Sequence, residues 1–150
     1  RDERMKSISA ETTFDEDTSD PDILDGHLWR LAERVSDRAK AKDLAGRTVT
    51  LKLKRADFTL VSRRHALPDP TQTADRLYRE ARTLYDATQD PGPFRLVGVG
   101  LADITPADEA DRMSDLLDPE AARRRAAERA TDAIRARFGA DAIIKGRSLR

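Results

Sequence analysis

The side chains best suited to chemistry are cations and hydroxyls spaced two residues apart in β-prone segments. Between residues 47 and 55, Val49, Leu51 and Leu53 alternate with polar residues. The polar positions of this run are Thr48, Thr50, Lys52 and Lys54. Because a strand turns alternate side chains to opposite faces, we expect one face to join a core and the other to be wet and basic. Lysine neutralises phosphate groups and hydroxyls hydrogen-bond to them, so phosphate binding is the favoured chemistry.

Three other β-prone segments add residues of the same kind. The further candidates are Ser7, Ser9 and Thr13 in the segment 6–14, Thr59, Ser62, Arg63, Arg64 and His65 in the segment 58–67, and Arg95 in the segment 94–104. Alternation places Arg63 and His65 on one side of their strand and Ser62 and Arg64 on the other. The candidates form one surface only if the fold brings these strands side by side.

Catalytic sets are sparse by comparison. The two histidines, His27 and His65, lie in separate segments with no serine and acid arranged around them, so we expect structural or surface roles for both. The absence of cysteine excludes a disulfide framework, a thiolate zinc site and a cysteine nucleophile. Gly98 and Gly100 fall inside a strand pattern and not at a strand-to-helix turn, which indicates a bulge or a close backbone approach instead of a nucleotide loop.

The acidic run that begins at Asp15 matches only part of a calcium-loop pattern. Asp15, Asp17 and Ser19 match the first three ligand positions, but Asp20 stands at the glycine position and Gly26 at the position of the bidentate glutamate. The pattern therefore fails. A helix start preceded by an acidic hinge is the better interpretation.

The net charge of zero is a cancellation between blocks of opposite sign. The 28 basic and 28 acidic residues are unevenly placed: residues 15–25 hold six acids and no base, whereas 26–64 hold eleven bases and four acids. Residues 103–120 hold seven acids and one base, and 121–150 hold nine bases and three acids. A neutral total therefore does not exclude a nucleic-acid partner.

Hydrophobic periodicity gives the order of the elements. The segment 6–14 is a strand, Asp20-Pro21 begins a helix that ends near Gly46, and 47–55 and 58–67 form a hairpin. A helical stripe then runs from Ala74 to Tyr85, and 94–104 is the last strand of the order β-α-β-β-α-β. This order predicts an α+β, ferredoxin-like domain, a four-stranded antiparallel sheet with two helices on one face and the other face open.

Outside that unit we expect an acidic tether at 105–118 and a basic helical extension at 119–150, whose helix stops at Gly139. The strand aromatics Phe14, Phe58 and Phe94 are expected in the core, which disfavours stacking of single-stranded RNA and favours a duplex held by its backbone.

No apolar run is long enough for a membrane span or a signal peptide, so we expect a cytoplasmic protein.

Three short motifs in register resemble the C-terminal little-finger domain of Y-family translesion DNA polymerases of the bacterial DNA polymerase IV type. They are the run from Lys6 to Phe14, Val61-Ser62-Arg63-Arg64 before Leu67-Pro68, and Arg95-Leu96-Val97-Gly98-Val99. The resemblance covers residues 4–104. It differs from the family pattern at Met5, where arginine is usual, and at Ser9, where glycine is usual.

The resemblance implies that residues 1–5 link the 6–104 domain to an upstream polymerase core. It implies DNA-binding roles for Lys6, Ser7, Ser9, Ser62, Arg63, Arg64 and Arg95, beside Thr13, Lys52 and Lys54 from the strand patterns. The parent would be a DNA-directed DNA polymerase, a transferase that copies past damaged bases in DNA repair. Its catalytic carboxylates and Mg²⁺ belong to a palm domain, so we expect no cofactor and no catalysis in these 150 residues.

A clamp-binding peptide is a second expectation from the resemblance. Met113-Ser114-Asp115-Leu116-Leu117 stands where many bacterial members carry a short peptide for the sliding clamp, with Met113 in place of glutamine and Leu117 in place of phenylalanine. The alternative is that both leucines pack beneath the final helix. Three other readings stay open: a protein-interaction module with a merely solvated sheet, an RNA-binding ferredoxin-like domain, and, with least support, a free-standing enzyme.

Overall fold

The computed structural model describes residues 7–107 and 119–138, and its elements follow the predicted order. They are β1 (Ser7–Thr18), α1 (Pro21–Ala41), β2 (Leu44–Arg55), β3 (Leu60–Thr71), α2 (Ala74–Thr88), β4 (Phe94–Pro106) and α3 (Pro119–Phe138). The strands form one four-stranded sheet in the order β1-β4-β2-β3, with every neighbouring pair antiparallel. The predicted α+β fold class is therefore confirmed.

The core lies between the sheet and the two helices α1 and α2. Leu28, Leu31 and Val35 of α1 are fully buried, and so are Val49 and Leu53 of β2. Both helices begin at capping residues that the sequence pattern favours. The Asp20 carboxylate accepts the Asp22 N–H at the start of α1, and the Thr73 hydroxyl accepts the Arg76 N–H at the start of α2.

Several boundaries differ from the predicted ones. The helix α1 ends at Ala41 and not near Gly46, because Asp43 takes a left-handed backbone with φ 56° and β2 begins at Leu44. Gly46 is a strand residue, where an added Cβ would lie 2.8 Å from the Ala102 carbonyl oxygen. A helix-stopping glycine was therefore the wrong interpretation, since this glycine permits a close approach between strands.

The strands are longer than the hydrophobic patterns indicated. β1 continues through the acidic run to Thr18, with a register irregularity between Thr13 and Thr18. β3 begins at Leu60 and reaches Thr71 despite Pro68 and Pro70, which an edge strand tolerates because its outer backbone groups need no partner. The acidic hinge predicted after residue 14 is thus part of an edge strand.

The basic helix at 119–138 folds onto the helix layer. Its ion pairs with that layer join Lys40 to Glu128 and Asp132, Arg124 to Asp75, and Arg135 to Asp37. The tether predicted to begin at residue 105 starts later, because β4 runs to Pro106. The rest of the tether from residue 108, and the extension beyond residue 138, lie outside the described residues and stay predictions.

Candidate nucleic-acid interface

The register of the sheet decides which candidate residues share a face. Val49, Leu51 and Leu53 are buried on the helix side, so the alternate residues of β2 point to the open face. Cross-strand partners continue this face in rows. The four rows, read from β1 to β3, are Ser7, Ala102, Thr48 and Ala66; Ser9, Gly100, Thr50 and Arg64; Glu11, Gly98, Lys52 and Ser62; and Thr13, Leu96, Lys54 and Leu60.

The rows bring most of the sequence-derived candidates to one surface. Eight of them lie on the open face: Ser7, Ser9, Thr13, Thr50, Lys52, Lys54, Ser62 and Arg64. Thr48 is on the same face but only 2% exposed, and its hydroxyl donates to the Asp103 carboxylate at 2.5 Å. Thr48 therefore has a structural role, and its hydroxyl is not available to bind a phosphate.

Arg63 and His65 belong to the other side of the sheet, as the alternation predicted. Arg63 pairs with Leu51 and His65 with Val49, two residues that face the core. The His65 ring lies 3.1 Å from the Glu80 carboxylate of α2. Arg63 is exposed on the edge strand, where its guanidinium donates to the Ser62 carbonyl at 2.8 Å. Arg63 borders the open face without belonging to its rows.

Gly98 and Gly100 form the floor of a concavity of about 610 Å³ in the middle of the open face. An added Cβ on Gly100 would lie 2.7 Å from Thr50 Oγ1 and 3.2 Å from Ser9 Cβ. On Gly98 it would lie 3.2 Å from Glu11 Cβ. The glycines therefore fit the close-approach interpretation drawn from the sequence, and their missing side chains create the depression.

Carboxylates sit beside two of the cations on this surface. Lys52 is bridged to Glu11, and the Arg64 guanidinium lies 4.0 Å from the Asp103 carboxylate, with all four side chains between 42% and 67% exposed. Exposed pairs of this kind contribute little to stability because water screens them. A phosphate group can therefore replace the carboxylate at modest cost.

Arg95 and Phe58 meet at the hairpin end of the sheet. The Arg95 guanidinium carbon lies 4.2 Å from the centre of the Phe58 ring, a cation–π geometry. Phe58 is 62% exposed, so the prediction that it lies in the core is wrong. It falls in the turn before β3, where the chain does not alternate as a strand. The same prediction is confirmed for Phe94, which is fully buried, and Phe14 packs half-buried against the core.

The two histidines contact different parts of the fold, His65 on the helix α2 and His27 on the strand β1. The His27 ring stacks on Phe14 with 4.8 Å between ring centres, and burial, together with the nearby Arg30, lowers the pKa of His27.

No cluster of three His, Asp or Glu that could hold a metal occurs in 7–107 and 119–138. Among these residues no helix is long and apolar enough to cross a membrane. The candidates Lys6 and Met113 to Leu117 lie outside the described residues.

Comparison with known proteins gives the chain a family context. The model of the impB/mucB/samB family C-terminal domain matches residues 5–116. A DNA polymerase IV of Brucella melitensis is 47% identical over 145 residues, which are 97% of this chain and 32% of the relative. A DNA polymerase IV of Caulobacter vibrioides is 42% identical over 149 residues, covering 99% of this chain and 36% of the relative. The chain thus spans about a third of the length of these relatives.

Solved structures share the fold. One is described as a complex of the beta-clamp processivity factor and the little finger domain of PolIV; it matches with a TM-score of 0.56 and 27% identity, covering 67% of this chain and 90% of that one. The insertion ternary complex of Dbh DNA polymerase matches with a TM-score of 0.59 and 16% identity, covering 67% of this chain and 29% of that one. At that identity the second likeness concerns the fold alone.

Proposed function

The chain belongs to the impB/mucB/samB family as its C-terminal domain, the little finger of the DNA polymerase IV type, and from this premise we propose that its open sheet face grips the backbone of the template–primer duplex. The parent chain is then a DNA-directed DNA polymerase of the translesion kind. These 150 residues supply grip and position and no chemistry of their own.

The observation that carries the proposal is the shared face of the four register rows. Lys52, Lys54 and Arg64 stand on it together with the hydroxyls of Ser7, Ser9 and Ser62. Lysine and arginine neutralise phosphates, and hydroxyls fix the register of a duplex without reading its sequence. The floor made by Gly98 and Gly100 lets a phosphodiester approach the backbone of β4 closely.

The grip is expected to be weak and sensitive to salt. The Glu11 and Asp103 carboxylates compete with phosphates for Lys52 and Arg64. When binding depends on the neutralisation of phosphates, the affinity for DNA falls steeply as the salt concentration rises. Weak, non-specific contact suits a domain that must follow a duplex as the duplex grows.

The test is a fluorescence anisotropy titration of duplex DNA with the 150-residue chain at two salt concentrations. The variant Lys52→Ala/Arg64→Ala should weaken binding and flatten the salt dependence. The control Arg34→Ala/Arg79→Ala removes two exposed cations from the helices behind the sheet and should change little. Equal effects of the two double variants, or binding independent of salt, contradict the proposal.

Mg²⁺ belongs to a different part of the parent. In this proposal the metal and the catalytic carboxylates lie in the palm domain of the parent. The polymerase activity of the parent stays a proposal, as does the cytoplasmic location expected from the sequence. The proposed activity rests on the relatives named DNA polymerase IV.

A second proposed partner is the sliding clamp. Support comes from the little finger of PolIV, which has been solved in complex with a beta-clamp, and from the peptide Met113 to Leu117. A pull-down of the clamp with wild type and Leu116→Ala/Leu117→Ala tests it. Reduced capture by the variant supports the peptide, whereas equal capture favours packing of the leucines beneath α3.

A further inference from the structure

The turn between β2 and β3 presents an aromatic ring in a backbone conformation that favours glycine. Phe58 has φ 72°, and its N–H donates to the Arg55 carbonyl at 2.8 Å while the Arg55 N–H donates to the Thr59 carbonyl at 2.9 Å. This is the pattern of a turn followed by a bulge, whose left-handed residue is usually glycine. A phenylalanine there is strained, because the left-handed region crowds its Cβ.

The turn is rigidly held. The Arg55 guanidinium donates to the Asp90 carboxylate and to the Gly92 carbonyl, and the Ala56 N–H donates to the Pro93 carbonyl at 2.9 Å. The ring is therefore displayed on a fixed support, and a strained, exposed residue on a fixed support points to function more than to packing.

The surroundings of the ring match single-stranded nucleic acid. Leu60, 53% exposed, is the cross-strand partner of Lys54 in the last row of the open face. Arg95 lies against one side of the Phe58 ring. Aromatic rings beside cations are the usual means of holding an unstacked base next to its phosphates. Arg95 directly precedes Leu96, a member of that last row, so the ring lies near the end of the face proposed to hold the duplex.

We propose that Phe58, backed by Arg95, is a stacking platform for an unpaired template base next to the duplex held on the open face. The platform takes any base, because every base offers a flat π-face. This inference rests on the proposed function. It adds a preference that the phosphate contacts alone do not give, for a duplex with a single-stranded overhang over a blunt one.

Phe58→Gly separates function from folding. Glycine adopts a positive φ freely, so the variant should unfold at a temperature no lower than wild type. Wild type should bind a duplex with a 5′ overhang several-fold more tightly than a blunt duplex of equal length, and Phe58→Gly should remove this difference while leaving blunt-duplex affinity unchanged. Phe58→Tyr should retain the preference. Ile134→Ala, which trims an exposed apolar residue on α3, is the control and should also retain it.

A 2-aminopurine at the first unpaired position gives a direct readout, because stacking quenches its fluorescence. Quenching by wild type and its loss in Phe58→Gly support the platform. The proposal is overturned if Phe58→Gly keeps the overhang preference, or if it weakens both DNAs alike, since Phe58 would then only position Arg95. A concentration-dependent dimer that Phe58→Gly abolishes would assign the ring to a second copy of the chain and also overturn it. Absence of any DNA binding by wild type would instead refute the proposed function, and the platform with it.

Discussion

Glu11 and Lys52 face each other across Gly98, with 2.7 Å between the carboxylate oxygen and the ammonium nitrogen. The two residues sit on β1 and β2, and only the bare backbone of β4 lies between them. The bridge therefore spans the floor of the concavity. A carboxylate occupies the place next to Lys52 that the proposed phosphate would take.

Removing this carboxylate charge should strengthen DNA binding. Glu11→Gln frees Lys52 and removes a repulsion worth about 1 kcal/mol at contact distance in water, so duplex affinity should rise about fivefold at low salt. Anisotropy titrations measure the change. The control is Glu16→Gln, an exposed carboxylate of the same strand that does not line the concavity. An equal gain in affinity from both variants would mean that only the net charge matters. If Glu11→Gln gave the same gain in a Lys52→Ala background, the bridge between Glu11 and Lys52 would not be what limits DNA binding.

Filling the floor of the concavity should harm both binding and stability. Gly100→Ala places a Cβ 2.7 Å from Thr50 Oγ1, an overpacking that costs about 1–3 kcal/mol of the free energy of unfolding. Urea denaturation should show that loss, and duplex affinity should fall. The companion variant Gly98→Ala meets its nearest atom, Glu11 Cβ, at 3.2 Å and should cost less. Thr50→Ala should restore part of the stability of Gly100→Ala, and no rescue would contradict the assigned clash.

The sequence predicted the structure correctly where a single physical pattern, such as strict alternation of apolar and polar residues, decided the outcome. Strict alternation in β2 correctly placed Val49, Leu51 and Leu53 inside, and it separated Arg63 from Arg64 before the register was known. The pattern could not reveal partners from distant strands. The bridge from Glu11 to Lys52 and the burial of Thr48 depend on β4 lying between β1 and β2, which residue types alone do not encode.

The errors also have physical causes. Gly46 resembled a helix stop because glycine favours both helix ends and close strand contacts, and only the neighbouring β4 decides between them. Phe58 resembled a core residue because it is apolar and lies beside a strand. A turn bond from its N–H to Arg55 instead holds it at positive φ and turns it outward. A positive φ at phenylalanine contradicts its intrinsic preference, so no propensity argument could find it.

The carboxylate of Glu128 should be the main anchor of α3. It accepts the N–H groups of Ala74 and Asp75 at 2.9 and 3.2 Å, at the N-terminus of α2, where a negative charge is favourable. It also pairs with Lys40. Because this side chain is only 15% exposed, Glu128→Ala should cost about 1–3 kcal/mol of the free energy of unfolding. The control Glu120→Ala, whose side chain is 58% exposed, should cost under about 0.5 kcal/mol. If urea denaturation gave equal losses of unfolding free energy for the two variants, Glu128 would not be the main anchor of α3.

Asp90 should make the domain sensitive to acid. The Gly92 N–H donates to its carboxylate at 2.9 Å, and this bond, together with the Arg55 guanidinium, lowers the pKa of Asp90 below its ordinary value of 3.8. A carboxyl whose pKa is lower in the folded state stabilises the fold above its unfolded pKa and loses that contribution as the pH falls through the folded value. Thermal unfolding between pH 6 and pH 2 should therefore show a loss of stability below about pH 4, which Asp90→Asn reduces. The control Asp15→Asn removes an exposed carboxyl of β1, and it should leave the acid profile unchanged. An Asp90→Asn profile parallel to wild type would show that the hairpin turn does not depend on this charge.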